Sequence, residues 1–223
     1  RGVLTTCNYD ARAYGVRSAM PTAHALRLCP QLTVVPPLMH KYREASTVMR
    51  DIFANFTEVI EPLSLDEAYL DVSEVSDKEL TATRIAKAIR QQIREELDIT
   101  VSAGVSVNKF IAKVASDWKK PDGLTVVPPH EVDGFVAALS VKKIPGVGAV
   151  TAEKMHRYGL RTCGDVRDWS LHDLRRRFGK FGVVLHEQIL GRATEREVLR
   201  RQRKYRFDRD GVSRSSVKSV RFG

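Results

Sequence analysis

The sequence predicts an α+β fold, a small sheet with helices on one face, followed by a separate all-helical part. Three observations carry that expectation. Ile85, Ile89, Ile93 and Leu97 recur every fourth residue, which marks an amphipathic helix over 78–97. That helix stands between a pair of β-prone runs, Thr57–Leu63 and Ala68–Val72, and a third apolar run, Val101–Val107. The order helix, strand hairpin, helix, strand, helix, strand suits helices packed on a sheet. Beyond Pro128-Pro129 the strand signals stop, and only short helical patterns with glycine turns continue to Glu195.

Taken in order, residues 1–40 open with a short β-prone piece, Val3-Leu4-Thr5-Thr6, before Asn8-Tyr9-Asp10-Ala11-Arg12. Pro21, Pro30, Pro36 and Pro37 then divide the chain into short helices and turns, so this lobe has little core of its own. Residues 41–56 form an amphipathic helix with Ala45, Val48, Met49, Ile52 and Phe56 on one face. The polar side of the 78–97 helix carries Lys87, Arg90, Arg94, Glu95 and Glu96, an ordinary solvated face. Val101–Val107 is a strand, and Asn108–Trp118 a helix that buries Ile111, Val114, Ala115 and Trp118. Lys119-Lys120-Pro121 ends that helix, and Pro121-Asp122-Gly123 is a turn. Residues 196–223 are basic, weakly periodic and poor in core formers, as in a linker or tail.

Composition narrows the function classes. With 223 residues, 43% of them hydrophobic, the chain can bury real cores in one or two domains. No apolar run approaches a membrane span, and no signal peptide precedes Arg1. Because the first residue is not Met, the chain is expected to be a fragment open at both ends. Cys7, Cys29 and Cys163 are odd in number and lack CxxC spacing, which fits a reducing compartment and argues against a disulfide frame or structural zinc. The net charge of +10 is uneven: residues 1–129 are neutral, 130–195 carry +3 and 196–223 carry +7. A neutral body with a basic end suits a polyanion along the C-terminal portion, although solvated basic tails are common.

The stretch with most chemistry is Ser64-Leu65-Asp66-Glu67-Ala68-Tyr69-Leu70-Asp71. Successive strand side chains point to opposite faces, so Asp66 and Glu67 converge only where the pleat breaks, at a strand end or hairpin. Adjacent carboxylates repel, and a divalent cation removes that penalty. Hard oxygen ligands suit Mg²⁺, which takes one or two carboxylates plus substrate phosphates. The bland alternative is a solvated hairpin. Tyr9 and Arg12 share one helical face, as either a local cation–π pair or a holder of a phosphate and a base or sugar. Lys120 either favours the helix C-terminal dipole or reaches a triphosphate. In Lys142-Lys143-Ile144-Pro145-Gly146-Val147-Gly148, two glycines let the chain turn tightly and present amide N–H groups at a helix N-terminus. With Lys143 before it and Lys154 after it, this is the physics of a helix-hairpin-helix, which grips nucleic-acid phosphate without reading sequence. Arg175-Arg176-Arg177-Phe178-Gly179-Lys180 adds a second basic turn.

Five ordered motifs carry a resemblance: Thr6–Arg12, Val16–Pro21, Ser64–Asp71, Ala103–Lys109 and Ile144–Gly148. Together they resemble the Y-family translesion DNA polymerases over about residues 1–195. The resemblance implies a right-hand polymerase with an antiparallel palm sheet, a small fingers lobe and an all-α helix-hairpin-helix thumb. Residues 1–38 would be fingers, 39–128 palm and 129–195 thumb, with 196–223 leading towards a little finger. It implies two Mg²⁺ ions, with Asp66 a metal-binding carboxylate and Glu67 the catalytic acid, and transfer of a dNMP from dNTP to a primer 3′-hydroxyl on primer-template DNA. Thr6, Tyr9, Arg12 and Lys120 match positions that hold the triphosphate, and Lys143, Gly146, Gly148 and Lys154 would hold DNA. A monomer in the cytoplasm, with a sliding clamp as partner of the full-length parent, is expected. The family's first strand, bearing another metal-binding Asp and followed by a ribonucleotide-excluding aromatic, would precede Arg1, and the little finger and clamp-binding end are also absent. The chain as given is therefore expected to be inactive or nearly so. Tyr205–Gly223 fits the expected linker poorly. Two rival classes follow from the same residues: a non-catalytic DNA-binding fragment, and a nucleotide cyclase, which would have no use for a duplex grip.

Overall fold

A computed structural model describes residues 2–75, 80–190 and the backbone of 219–222. The chain divides into two compact units, Arg1–Glu44 and Ala45–Gly223, with the division falling inside a helix, α3, that runs Met39–Ala54.

In the first unit, α1 (Tyr9–Ala13) starts at Asn8, whose side chain accepts from the Ala11 amide at 3.0 Å, and α2 (Thr22–Leu28) follows Pro21. Its core is small: Ala11, Val16, Ala25 and Cys29 are buried, with Leu4, Cys7, Met20 and Leu32 against them. The β-prone run Val3–Thr6 forms only a bridge, Val3 to Pro21. The Leu4 amide donates to the Met20 carbonyl and the Thr22 amide to the Gly2 carbonyl, and the ladder goes no further because Ala19 turns the chain on one side and α2 begins at Thr22 on the other.

The second unit is built on a five-stranded sheet of order β1-β2-β5-β3-β4, with β1 Ile60–Pro62, β2 Ala68–Asp71, β3 Ala103–Ser106, β4 Leu124–Val126 and β5 Ser219–Phe222. Three pairings are antiparallel, as expected, but β3 and β4 run parallel. The cause is α5 (Lys109–Trp118): a helix between consecutive paired strands returns the chain to the starting edge, so the second strand takes the same direction. The end of the presumed basic tail is also corrected. Residues 219–222 form the middle strand, pairing with Ala68–Asp71 on one side and Ala103–Ser106 on the other. Without it, two buried strands would each leave a row of backbone groups unpaired.

Helices cover both faces of β3, not one. Ala103 and Val105 join Met49, Ile52 and Phe53 of α3 and Ile85, Ala86, Ile89 and Ile93 of α4 (Ala82–Leu97) in one core. Gly104, pointing the other way, meets α5 so closely that a Cβ there would lie 2.0 Å from the Ala112 carbonyl oxygen. Every residue of β3 is buried. Its unbroken run of apolar and small residues is the pattern of a strand covered twice.

Past β4 come α6 (Val132–Ala138), α7 (Ala149–Arg157), α8 (Cys163–Arg167), α9 (Leu171–Phe178) and α10 (Lys180–Ile189). The buried residues of these helices and of the turns between them, among them Val136, Leu139, Ile144, Met155, Leu174 and Leu185, share one core with Phe110, Ile111, Val114 and Ala115 of α5. So α5 serves the sheet with one side and the helical part with another. Trp118, expected to be buried, is 50% exposed at the end of α5, its ring 5.2 Å from that of Phe135.

Candidate active site and nucleic-acid interface

The acidic stretch is a hairpin turn between β1 and β2. The amides of Leu63 and Ser64 both donate to the Glu67 carbonyl, at 2.8 and 3.3 Å. Asp66 lies in the turn and is exposed, and its Oδ1 accepts from the Ser64 hydroxyl at 2.5 Å. Glu67 stands at the mouth of β2, half-buried, two residues before Tyr69 and therefore on the same face of the strand. The pair thus occupies the break in the pleat where adjacent carboxylates are free to converge. A small notch beside them is lined by Ser46, Met49, Arg50 and Phe53 of α3. Among the described residues no group of three His, Cys, Asp or Glu could hold a metal ion. The chain's own contribution is a carboxylate pair, which fits a hard cation that completes its shell with water and substrate phosphates.

Two lysines of α5 face this hairpin. Lys109 pairs with Glu61 of β1, its ammonium 5.6 Å from the Tyr69 ring centroid, and Lys113 Nζ stands 3.5 Å from Glu67 Oε2. Asn108 starts α5 by accepting from the Ile111 amide at 2.9 Å, which fixes the phase of both lysines. The sequence reading missed both. Their four-residue spacing was legible; their partners, far away in the chain, were not.

Lys120 follows the last turn of α5, exposed, with its ammonium 2.8 Å from Asp117 Oδ1. The turn after it is pinned by Arg90, which was expected on a solvated face. Arg90 donates to the Val101 carbonyl at 2.9 Å, the Asp122 carbonyl at 2.7 Å and Asp122 Oδ1 at 2.6 Å, leaving its side chain 19% exposed. The reason is position: Arg90 sits where α4 passes the entry to β3 and the exit from α5.

In the first unit, Thr6, Tyr9 and Arg12 lie together. Arg12 reaches the Thr6 hydroxyl at 3.5 Å and the Cys7 carbonyl at 3.3 Å, and its guanidinium carbon is 5.6 Å from the Tyr9 ring centroid. The local cation–π pair is formed, and Tyr9 is half exposed. An open cavity of about 850 Å³ in the same unit is lined by Thr6, Asn8 and Asp10 and by the run Leu32–Pro37; Tyr9 and Arg12 are outside its lining.

In the helical part, Ile144 is buried and Gly146 turns the chain at φ 91°, a left-handed conformation that favours glycine. Gly148 opens α7 with no side-chain cap, so that helix's first amides have no side-chain acceptor there, and Lys142 and Lys143 earlier in the turn are exposed. A left-handed glycine followed by an uncapped helix start is the local geometry that the glycine spacing predicts. Lys154 is placed differently. Its ammonium donates to the Arg177 carbonyl and lies 5.1 Å from the Phe178 ring centroid, so it clasps α7 to the end of α9. Arg177 in turn donates to the Tyr158 hydroxyl at 3.2 Å. Asp165 accepts from the Thr162 and Arg161 amides, which holds its carboxyl below the usual range and completes a capping box at α8. No described helix is long and apolar enough to cross a membrane.

Residues 1–117 match the model of the impB/mucB/samB family, and residues 142–192 match that of the DNA polymerase-iota thumb domain. DNA polymerase IV of Ectopseudomonas mendocina (strain ymp) is 58% identical over 198 residues, 89% of this chain and 56% of the relative. The crystal structure of DinB from Sulfolobus solfataricus superposes with a TM-score of 0.77 at 33% identity, covering 82% of this chain and 55% of that one. An insertion ternary complex of Dbh DNA polymerase gives the same TM-score and identity over 84% and 55%. The chain spans about half the length of the curated relatives it matches. It belongs to the impB/mucB/samB family, the Y-family that its five motifs resemble, and it has that family's α+β right-hand polymerase fold.

Proposed function

We propose that the chain carries the catalytic core of a translesion DNA polymerase, acting on primer-template DNA and dNTP. The observation that supports this most is the acidic hairpin, with Asp66 in its turn and Glu67 at the mouth of β2, on a sheet that shares α5 with a helix-hairpin-helix. Residues 1–38 serve as fingers, 39–128 as palm and 129–195 as thumb. Asp66 and Glu67 would hold Mg²⁺, two ions in all, and when bound these would supply acidity to the primer 3′-hydroxyl and neutralise charge on the departing pyrophosphate. Thr6 and Arg12 donate hydrogen bonds to triphosphate oxygens, Tyr9 adds a hydroxyl, and Lys120 contributes a point charge to phosphate. The amides around Gly146 and Gly148, with Lys143, hold the duplex backbone, so DNA affinity falls steeply with salt. Lys154 supports this grip by holding α7 in place. The sliding clamp, the monomeric state and the cytoplasmic setting belong to the same proposal. Among the described residues the hairpin offers the cation two carboxylates, Asp66 and Glu67, with the rest of its shell left to water and substrate phosphates.

The test is Mg²⁺-dependent primer extension with all four dNTPs, beside a gel shift of primer-template DNA at two salt concentrations. Whatever extension the chain supports falls at least ~100-fold in Glu67→Ala, while the salt-sensitive shift is unchanged. Extension that survives Glu67→Ala would withdraw the catalytic assignment. A salt-sensitive shift with no extension in either protein would favour a non-catalytic DNA-binding role.

A further inference from the structure

The β1–β2 hairpin has two cationic partners on one helix, and they are not equivalent. Lys109 and Lys113 are four apart, so they stand on one face of α5. Their register is fixed twice over, by the buried Asn108 at the helix start and by the tight seat of α5 on Gly104 of β3. Lys109 is the more enclosed, 14% exposed, in close contact with Glu61 and near the Tyr69 ring. Neither Glu61 nor Tyr69 belongs to the cation pair, so this contact has reason to persist whatever the hairpin binds. Lys113 is more open, 26% exposed, and its 3.5 Å contact is at the outer limit of a hydrogen bond. Its partner is Glu67, one of the two carboxylates assigned to the cation.

A carboxylate cannot serve an ammonium and a divalent ion equally. Cation and ammonium repel, and a lysine on a flexible four-carbon stem moves aside more easily than a planar, multiply bonded arginine would. Resting on the reading of Asp66 and Glu67 as the cation pair, we propose that Lys113 is the resident counter-ion of Glu67. It neutralises the carboxylate before the cation arrives and is displaced when the cation binds, and so sets the cation affinity of the hairpin. Lys109 is the anchor that keeps β1 and the mouth of β2 in place while this exchange occurs.

The experiment is a Mn²⁺ titration of the 223-residue chain, with free Mn²⁺ read by electron paramagnetic resonance and no nucleotide or DNA present. The double variant D66N/E67Q defines how much of the binding belongs to the hairpin. Lys113→Gln is expected to tighten that component about fivefold, the equivalent of removing one partly screened unit charge next to the site. Lys113→Arg, which keeps the charge, leaves it near the parent value or weaker, and Lys109→Gln changes it much less than Lys113→Gln. Lys113→Met provides a second neutral variant, and circular dichroism verifies that each is folded. Unchanged or weaker Mn²⁺ binding in the folded neutral variants would overturn the proposal, as would an equal gain from Lys109→Gln, which would mark a general field effect. Parent binding that is indifferent to D66N/E67Q would overturn the cation reading itself, and the proposal with it; the two failures are thus distinct.

Discussion

Cys163 and Arg90 show what single side chains contribute here. The Cys163 thiol is fully buried at the start of α8, and burial pushes its pKa from 9.0 up to about 12, with Arg167 pulling weakly the other way. The folded state therefore keeps a proton that the unfolded chain loses above about pH 9. The sign is unfavourable to folding at high pH: this contribution is complete below pH 9 and declines as pH rises towards 12, by about 1.4 kcal/mol per unit. Urea midpoints between pH 8 and 10.5 should fall less steeply for Cys163→Ala than for the parent, although the variant is less stable at pH 7. Arg90 acts through geometry. One guanidinium satisfies two carbonyls and a carboxylate at the junction of α4, β3 and the Lys120 turn. Arg90→Ala should cost about 2 kcal/mol, because it removes the donor to both carbonyls and leaves the Asp122 carboxylate only Arg94, 3.3 Å away. Chemical denaturation measures this, and Arg90→Lys should recover only part of the loss, since an ammonium cannot reproduce the fork.

At the scale of elements, α5 organises the second unit. It forms because Asn108 caps it and because Ile111, Val114 and Ala115 repeat on one side; it sits close to the sheet because β3 offers Gly104 there. That seat brings Lys109 and Lys113 to the acidic hairpin and Phe110 to the helical core. Gly104→Val should cost at least about 3 kcal/mol, since backbone on both elements, not a flexible side-chain tip, would have to move. Thermal unfolding of the purified variant checks the stability, and loss of the Mn²⁺ component assigned to the hairpin would show that the damage reaches the site. The helix-hairpin-helix turn was readable from Gly146 and Gly148 because a left-handed residue and an uncapped helix start have local sequence requirements. The contact of Lys154 with the end of α9 was not readable in the same way, because that partner arrives from a distant part of the chain.

At the scale of the whole chain, the two units differ in how much they bury. The first has four buried apolar residues in its core, whereas the second has two large cores, one between α3, α4 and the sheet and one shared by α5 and the helical part. Burial is the main favourable term, so local opening should be easier in the first unit. Hydrogen exchange followed by mass spectrometry should show amides of Arg1–Glu44 exchanging faster than those of α4 and β3; equal protection would contradict this. The charge distribution works at the same scale. The excess of positive charge lies after residue 129 in the sequence, in the part that begins with the helix-hairpin-helix.

The sequence alone determined the features whose physics is local. Periodicity marked α3, α4 and α5, glycine spacing marked the turn into α7, and an acidic octapeptide between β-prone runs marked the hairpin; the ordered motifs then pointed to the family. Tertiary structure decided what depends on partners distant in sequence. It made β3 and β4 parallel, put helices on both faces of β3, placed residues 219–222 in the middle of the sheet and turned Arg90 from a surface charge into a pin. It also set Lys113 against Glu67. A strand of four residues or a lysine on a helix carries no mark of the edge or carboxylate it will meet, because pairing energy arises only when long-range contacts have closed.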